Sequence, residues 1–198
     1  MSEETKVLPE EITPEVNETE TTDTQMSVKE IIRNLIADGA RRINNVRIKN
    51  VNYDKDYEDK NYIRVSLTLD KNIPGYVPVT NSNGDTIGYE KGMTNIIYTS
   101  TFALGAVLKE DEDTSWLAGH IVDKPKRLGL IFNGATIDIL QREYAKGTPI
   151  SNPFSTRKDK DSNVYDHDII INDVISITLG KAGNKMAMML ASNILMED

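Results

Sequence analysis

Asn61-Tyr62-Ile63-Arg64-Val65-Ser66-Leu67-Thr68-Leu69 alternates without a break. Ile63, Val65, Leu67 and Leu69 share one face, and Tyr62, Arg64, Ser66 and Thr68 share the other. A period of two predicts a strand with one face in a core and one in solvent. Upstream, residues 42–53 are rich in β-formers but alternate imperfectly, which predicts a bulge. The polar run 54–60 separates the two, so 42–70 is read as a β-hairpin. Downstream, Ile73-Pro74-Gly75 predicts a turn. Residues 76–80 and 85–90 flank Asn81-Ser82-Asn83-Gly84, whose Asn-Gly pair suits the positive φ values of a tight turn and predicts a second hairpin. Residues 93–98 add a strand.

On either side the period changes. Ser27-Val28-Lys29-Glu30 has the form of a capping box, Ile31, Ile32, Leu35 and Ile36 follow at helical spacing, and Gly39 marks a stop, which predicts a helix over 28–38. Residues 99–132 predict three helices, with Thr99 or Ser100 and Asp113 or Thr114 as caps and Pro125 in the first turn of the third. Residues 135–144 and 167–179 return to alternation, and 184–196 predict a last helix with Met186, Met189, Leu190 and Ile194 on one face. The order is that of an α+β fold: an OB-like β-barrel core with a helical insertion between strands 3 and 4, plus a C-terminal helix. Other α+β sheets and viral β-sandwiches with a helical insertion fit the same order.

The charge is concentrated at one end. Of a net −8 over 198 residues, residues 1–24 hold eight acids and one base, a net of −7. With Pro9, Pro14 and no apolar period, this stretch cannot bury enough surface to offset its ordering entropy. Residues 1–25 are therefore expected to be a disordered acidic tail, and 26–198 a single domain. The tail reads as a solubilising segment, or as an interaction tail that mimics a polyanion and competes for a basic groove on its own domain.

Several chemistries are excluded or weakened. No cysteine means no disulfide and no thiol nucleophile or ligand. No apolar run is long enough for a membrane span, and no signal-peptide pattern opens the chain. No phosphate loop, G-x-G-x-x-G or G-x-S-x-G occurs. Asp166-His167-Asp168 is the only histidine flanked by carboxylates, but alternation turns His167 away from both acids, which is poor geometry for a metal. The expectation is a protein that is not an enzyme and uses no cofactor and no metal.

What remains is a pattern of cations and aromatics. Single-strand binders need cations that follow phosphates and aromatic faces on which bases stack. Alternation places Tyr62 and Arg64 outward on one strand, Arg142 and Tyr144 together on another, and Arg47, Lys49 and Tyr53 on a third. The loop after residue 145 adds Phe154, Arg157, Lys158 and Lys160. These eleven residues are the candidate nucleic-acid-binding set. The plain alternative is ordinary decoration of a solvated sheet.

The stretch from Ile96 to Leu179 also resembles a small conserved protein of tailed bacteriophages, in particular crAss-like phages. The resemblance is carried by Tyr98-Thr99-Ser100-Thr101-Phe102, Ala135-Thr136-Ile137-Asp138-Ile139-Leu140-Gln141, Gly147-Thr148-Pro149-Ile150-Ser151-Asn152-Pro153-Phe154-Ser155 and His167-Asp168-Ile169-Ile170-Ile171-Asn172. It implies a phage single-stranded-DNA-binding protein of replication or recombination, at work in the cytoplasm of the bacterial host. The expected partners are single-stranded nucleic acid and other phage proteins through the acidic tail, with a homo-oligomer left open and no membrane expected. The rival expectation is a capsid-associated virion protein.

Overall fold

The computed structural model describes residues 26–53, 63–123, 127–154 and 162–194; the expected tail lies outside them. Helix α1 (Val28–Ala37) carries the capping box: Ser27 Oγ accepts the Glu30 N–H at 3.3 Å, and the Glu30 carboxylate accepts the Ser27 N–H at 3.0 Å. Strands β1 (Arg41–Tyr53), β2 (Arg64–Thr80) and β3 (Thr86–Ser100) follow. Helices α2 (Thr101–Glu110), α3 (Leu117–Asp123) and α4 (Leu128–Phe132) come next, then β4 (Thr136–Tyr144), β5 (Ile169–Thr178) and α5 (Lys181–Ile194). The fold is α+β. Its sheet is antiparallel throughout, in the order β3-β2-β1-β4-β5, and curls into a half-barrel.

The curl originates in β1. Its first half pairs with β4 (Ile43 opposite Ile139, Val46 opposite Ile137), and its second half pairs with β2 (Ile48 opposite Leu69, Val51 opposite Leu67). Register shifts interrupt both ladders, between Ile43 and Val46 and between Ile48 and Asn50. Bulges bend a strand and raise its twist, which lets one strand serve two neighbours at different angles. At the first bulge Asn45 sits at φ 55, and its N–H donates to Asp138 Oδ1 at 3.0 Å while Arg42 holds the other oxygen at 2.6 Å.

Burial alone would raise the Asp138 carboxyl, but the Arg42 guanidinium and the Asn45 N–H outweigh it and hold the group below its ordinary range. A depressed carboxylate contributes stability that is fully present above its unfolded pKa and is lost as pH falls through the folded value. Asp138→Ala is therefore expected to cost about 1–2 kcal/mol at pH 7, the scale of hydrogen bonds to a charged group with an open partner. The gap to wild type should close as urea melts are taken below about pH 4, the ordinary carboxylate range. A cost independent of pH would show that the ionised form is not what holds the bulge.

The concave face is apolar. Val46, Ile48, Val65, Leu67, Leu69, Ile97, Ile137, Ile139 and Ile177 form one cluster with Leu104, Leu108, Leu117, Ile121, Leu128, Ile131, Phe132, Ala187 and Leu190 of the helices. Each such side chain contributes roughly 1.5–3 kcal/mol on full burial.

Two local expectations are corrected. Ile73-Pro74-Gly75 is not a turn: β2 runs through it, with Pro74 opposite Met93, so the second expected hairpin and the separate strand 93–98 are one long β2–β3 hairpin, while the first expected hairpin stands in the pairing of β1 with β2. The four residues Leu69 to Asn72 are absorbed by a register shift between Thr68 and Ile73, and Pro74 follows it beyond Leu69, where the β1 ladder has ended and β2 has an edge that tolerates a proline. The last helix starts at Lys181, and its buried line is Gly183, Ala187 and Leu190 with Met186 beside it; Met189 is exposed.

Gly183 lies in the added first turn of this helix. A Cβ there would lie 2.2 Å from the Ile131 carbonyl oxygen, so α5 can approach α4 only with glycine at this position. Gly183→Ala is expected to force the two helices apart at a cost of about 2 kcal/mol, in the usual range for overpacking. Thermal melting would register this as a drop of roughly 4–8 °C; an unchanged melting temperature would refute the contact.

Candidate nucleic-acid interface

The face of the sheet opposite the core is built by the same alternation. Because Leu67 and Ile97 point inward as partners, Ser66 and Tyr98, Thr68 and Ile96, and Arg64 and Ser100 pair on the other face. In β1, Asn50 and Asn52 lie opposite Thr68 and Ser66 and join that face. The bulge after Ile48 adds Lys49, and Arg47 precedes it between buried Val46 and Ile48. The result is an open surface across β1, β2 and β3. Tyr98 is 57% exposed, and the Arg64 guanidinium lies 4.1 Å from the centroid of its ring. The Asn50 carboxamide donates to Asn52 Oδ1 at 3.2 Å. Arg47 and Lys49 are exposed and enter no ion pair among the described residues. They flank a cleft of about 410 Å³ shared with Asp70, Asn133 and Gly134. Asp70 is the one acid of that cleft, and its carboxylate accepts the Arg47 N–H at 3.2 Å.

Three of the expected residues, Arg47, Lys49 and Arg64, are thus brought onto one surface. Tyr53 is not with them. The bulge shifts the alternation by one, so Tyr53 lies opposite Val65 and packs against the core. Arg142 and Tyr144 share a face, as alternation predicts, but that face is closed there. Arg142 is 6% exposed; its Nε and Nη2 donate to Asp173 Oδ2 at 2.8 Å, and its Nη1 donates to the Tyr144 hydroxyl at 2.8 Å. An arginine spent on an internal carboxylate has no charge left for a phosphate. Phe154 is half-buried in its loop, where its N–H donates to Asn152 Oδ1 at 3.0 Å. Tyr62, Arg157, Lys158 and Lys160 lie outside the described residues.

Tyr98, Asn50 and Asn52 were not among the expected residues. The signal for Tyr98 was present: in Ile96-Ile97-Tyr98 the middle residue is the core residue, so its neighbours face out.

A second polar cluster lies where the far part of the hairpin meets the segment that leads into β5. His167 stacks on Tyr89 with centroids 4.2 Å apart, Tyr165 meets it edge-on at 5.9 Å, and Asp166 Oδ1 lies 2.7 Å from its Nδ1. Asp168 accepts the Lys146 N–H at 2.8 Å and the Tyr76 hydroxyl at 3.4 Å, and Lys91 pairs with Glu143 at 2.7 Å. His167 is not turned away from both acids as alternation predicts, because these residues precede β5 and Asp166 meets the ring, while Asp168 has separate partners; the described residues hold no group of three or more potential ligands placed for a metal. These contacts join the far part of the β2–β3 hairpin to the end of β4 and to the residues that lead into β5.

No helix among the described residues is long and apolar enough to cross a membrane. Comparison with protein-family models, with curated proteins and with solved structures gives no match.

Proposed function

We propose that the chain is a non-enzymatic single-stranded nucleic-acid-binding protein that uses the open face of β1, β2 and β3. The observation that carries this reading is Arg64 stacked over the exposed Tyr98 ring, with Arg47 and Lys49, which enter no ion pair among the described residues, further along the same sheet face. The arrangement supplies the two parts such binding needs: a π-face for a base and a track of positive charge for the backbone. Asn50 and Asn52 add carboxamides able to hydrogen-bond base edges. An OB-like core is part of the proposal. OB barrels bind oligonucleotides on the face of strands 2 and 3, and a strand order with β1 shared between β2 and β4 is compatible with that fold. The phage setting, and with it a role in replication or recombination in a bacterial host, rests on the resemblance of residues 96–179 alone.

Salt dependence tests the proposal. Labelled oligo-dT is titrated with the full chain by fluorescence anisotropy at several salt concentrations. For single strands, log K falls with log salt by about 0.7 per phosphate neutralised. Arg47→Ala and Lys49→Ala are each expected to lower that slope by about 0.7. No binding at low salt, where phosphate contacts are strongest, would refute the proposal.

A further inference from the structure

We propose that Asp70 makes this surface selective among pyrimidines, its free carboxylate oxygen receiving the exocyclic amino group of cytosine. The inference deepens the nucleic-acid reading above and rests on it.

The site stands where β1 changes partner. Val46 and Arg47 pair with β4, whereas Ile48 pairs with Leu69 of β2. Arg47 would face Asp70 next in the β1–β2 ladder, but backbone pairing stops there, and Asp70 Oδ1 takes the Arg47 N–H instead, at 3.2 Å. One oxygen of Asp70 thus serves the fold and fixes the side chain. The other receives no donor and the carboxylate enters no ion pair among the described residues, although two cations share its cleft.

The surroundings supply the opposite chemistry. Arg47, Lys49 and the exposed Asn133 line the same cleft of about 410 Å³. The Arg47 guanidinium lies along the Gly134 turn, at φ 80, where a Cβ would stand 3.6 Å from Nη2. Two cations outnumber one carboxylate, so the cleft still attracts a strand's phosphates. An ionised carboxylate is an acceptor only, so it repels a phosphate and can hold nothing but a donor of the ligand.

Base edges differ in where they carry donors. Cytosine has its amino group N4 at the corner of its pairing edge, followed by the acceptors N3 and O2, and an acidic side chain is the natural partner of that amino group. Uracil and thymine have the carbonyl O4 in the same place, and their one donor, N3–H, stands between two carbonyl oxygens. A carboxylate set against that edge meets a repelling oxygen beside the N–H. Asp70 as acceptor, next to Lys49 and the Asn133 carboxamide as donors, complements cytosine. Asp70 lies four residues along β2 from Ser66, the partner of Tyr98. That separation is roughly 13 Å at 3.3 Å per residue, within the reach of a site of about four nucleotides.

Oligo-dC and oligo-dU of equal length test the assignment, because they differ only in the pairing edge. Each is titrated with the full chain by fluorescence anisotropy at about pH 8, where carboxylates are ionised. Oligo-dC is expected to bind about tenfold more tightly, the scale of one base-edge discrimination. Asp70→Asn tests the cause. Its Oδ1 can still accept the Arg47 N–H, which leaves the amide nitrogen as a donor at the free position. The preference should then reverse toward oligo-dU, whose O4 stands where cytosine has its amino group. Asp70→Ala should bind the two alike. Either substitution removes a negative charge and raises both affinities, so the ratio is the measure. Thermal melting of each variant checks that it is folded.

Wild-type affinities for oligo-dC and oligo-dU within about twofold of each other overturn the assignment without recourse to a variant. A preference for oligo-dC that survives in both variants overturns it as well. Both outcomes leave the nucleic-acid reading standing. Failure to bind either oligonucleotide at low salt sinks that reading and this inference with it.

Discussion

Arg142→Ala is expected to destabilise the domain by about 3 kcal/mol while leaving ligand affinity per folded molecule unchanged. The guanidinium is 6% exposed and makes every one of its contacts inside the protein, to Asp173 and to the Tyr144 hydroxyl. Removing it leaves a carboxylate that is mostly out of water without its counter-charge, the situation in which breaking a pair costs far more than the pair contributes. Because Asp173 keeps about a quarter of its side-chain exposure, the cost belongs at the lower end of the range for buried pairs. A chain of this length should lose roughly 6–12 °C in melting temperature.

The pH dependence identifies the cause. Burial pushes the Asp173 carboxyl up from its ordinary range even with Arg142 opposing it, and without Arg142 it must rise further. A carboxyl raised on folding favours the native state when protonated, and that advantage is lost as pH rises through the folded pKa. The variant should therefore approach wild type as the medium is made acidic and fall furthest behind above neutrality. Arg142→Ala together with Asp173→Ala removes the orphaned charge and should recover part of the loss. A variant as stable as wild type but with weakened oligo-dT binding would restore Arg142 to the interface and overturn its structural role.

The two halves of the sheet show what alternation can and cannot reveal. In β2 it is enough: Val65 and Leu67 are buried, and Arg64 and Ser66 fall on the opposite face, half-exposed. In β4 the same rule sorts Arg142 and Tyr144 correctly to one face but says nothing about whether that face meets water. Leu140 and Arg142 are buried there, outside the main apolar cluster, and the partner that defines Arg142 is Asp173 on the neighbouring strand. Strand neighbours are long-range facts, and period two carries no trace of them. In β1 the rule fails for a local reason, since counting through the bulge at Lys49 assigns Tyr53 to the wrong face. The imperfect alternation of 42–53 announced a bulge but not its position. The long hairpin was misread at Ile73-Pro74-Gly75 because proline and glycine signal a turn but are also tolerated in a strand that has lost one of its neighbours.

Tyr98→Ala is expected to weaken oligo-dT binding about 10- to 100-fold at fixed salt, with little change in stability. Base stacking on an aromatic side chain is worth roughly 1–3 kcal/mol by alanine substitution, and each 1.4 kcal/mol is tenfold in affinity. The ring is more than half exposed, and its inward neighbours Ile97 and Leu67 fill the core without it, so truncation removes little packing. The Arg64 guanidinium over the ring is an exposed cation–π contact worth about 0.5–1 kcal/mol at most. Tyr98→Phe keeps the π-face and should bind within about twofold of wild type, which separates stacking from any use of the hydroxyl. The salt slope supplies the remaining discrimination. Loss of an uncharged ring should lower affinity equally at all salt concentrations, whereas Arg64→Ala should lower both affinity and slope. If Tyr98→Ala changed the slope as an arginine variant does, the ring would be positioning Arg64 on a phosphate rather than receiving a base. If it changed neither affinity nor slope, the strand would not cross this face at all.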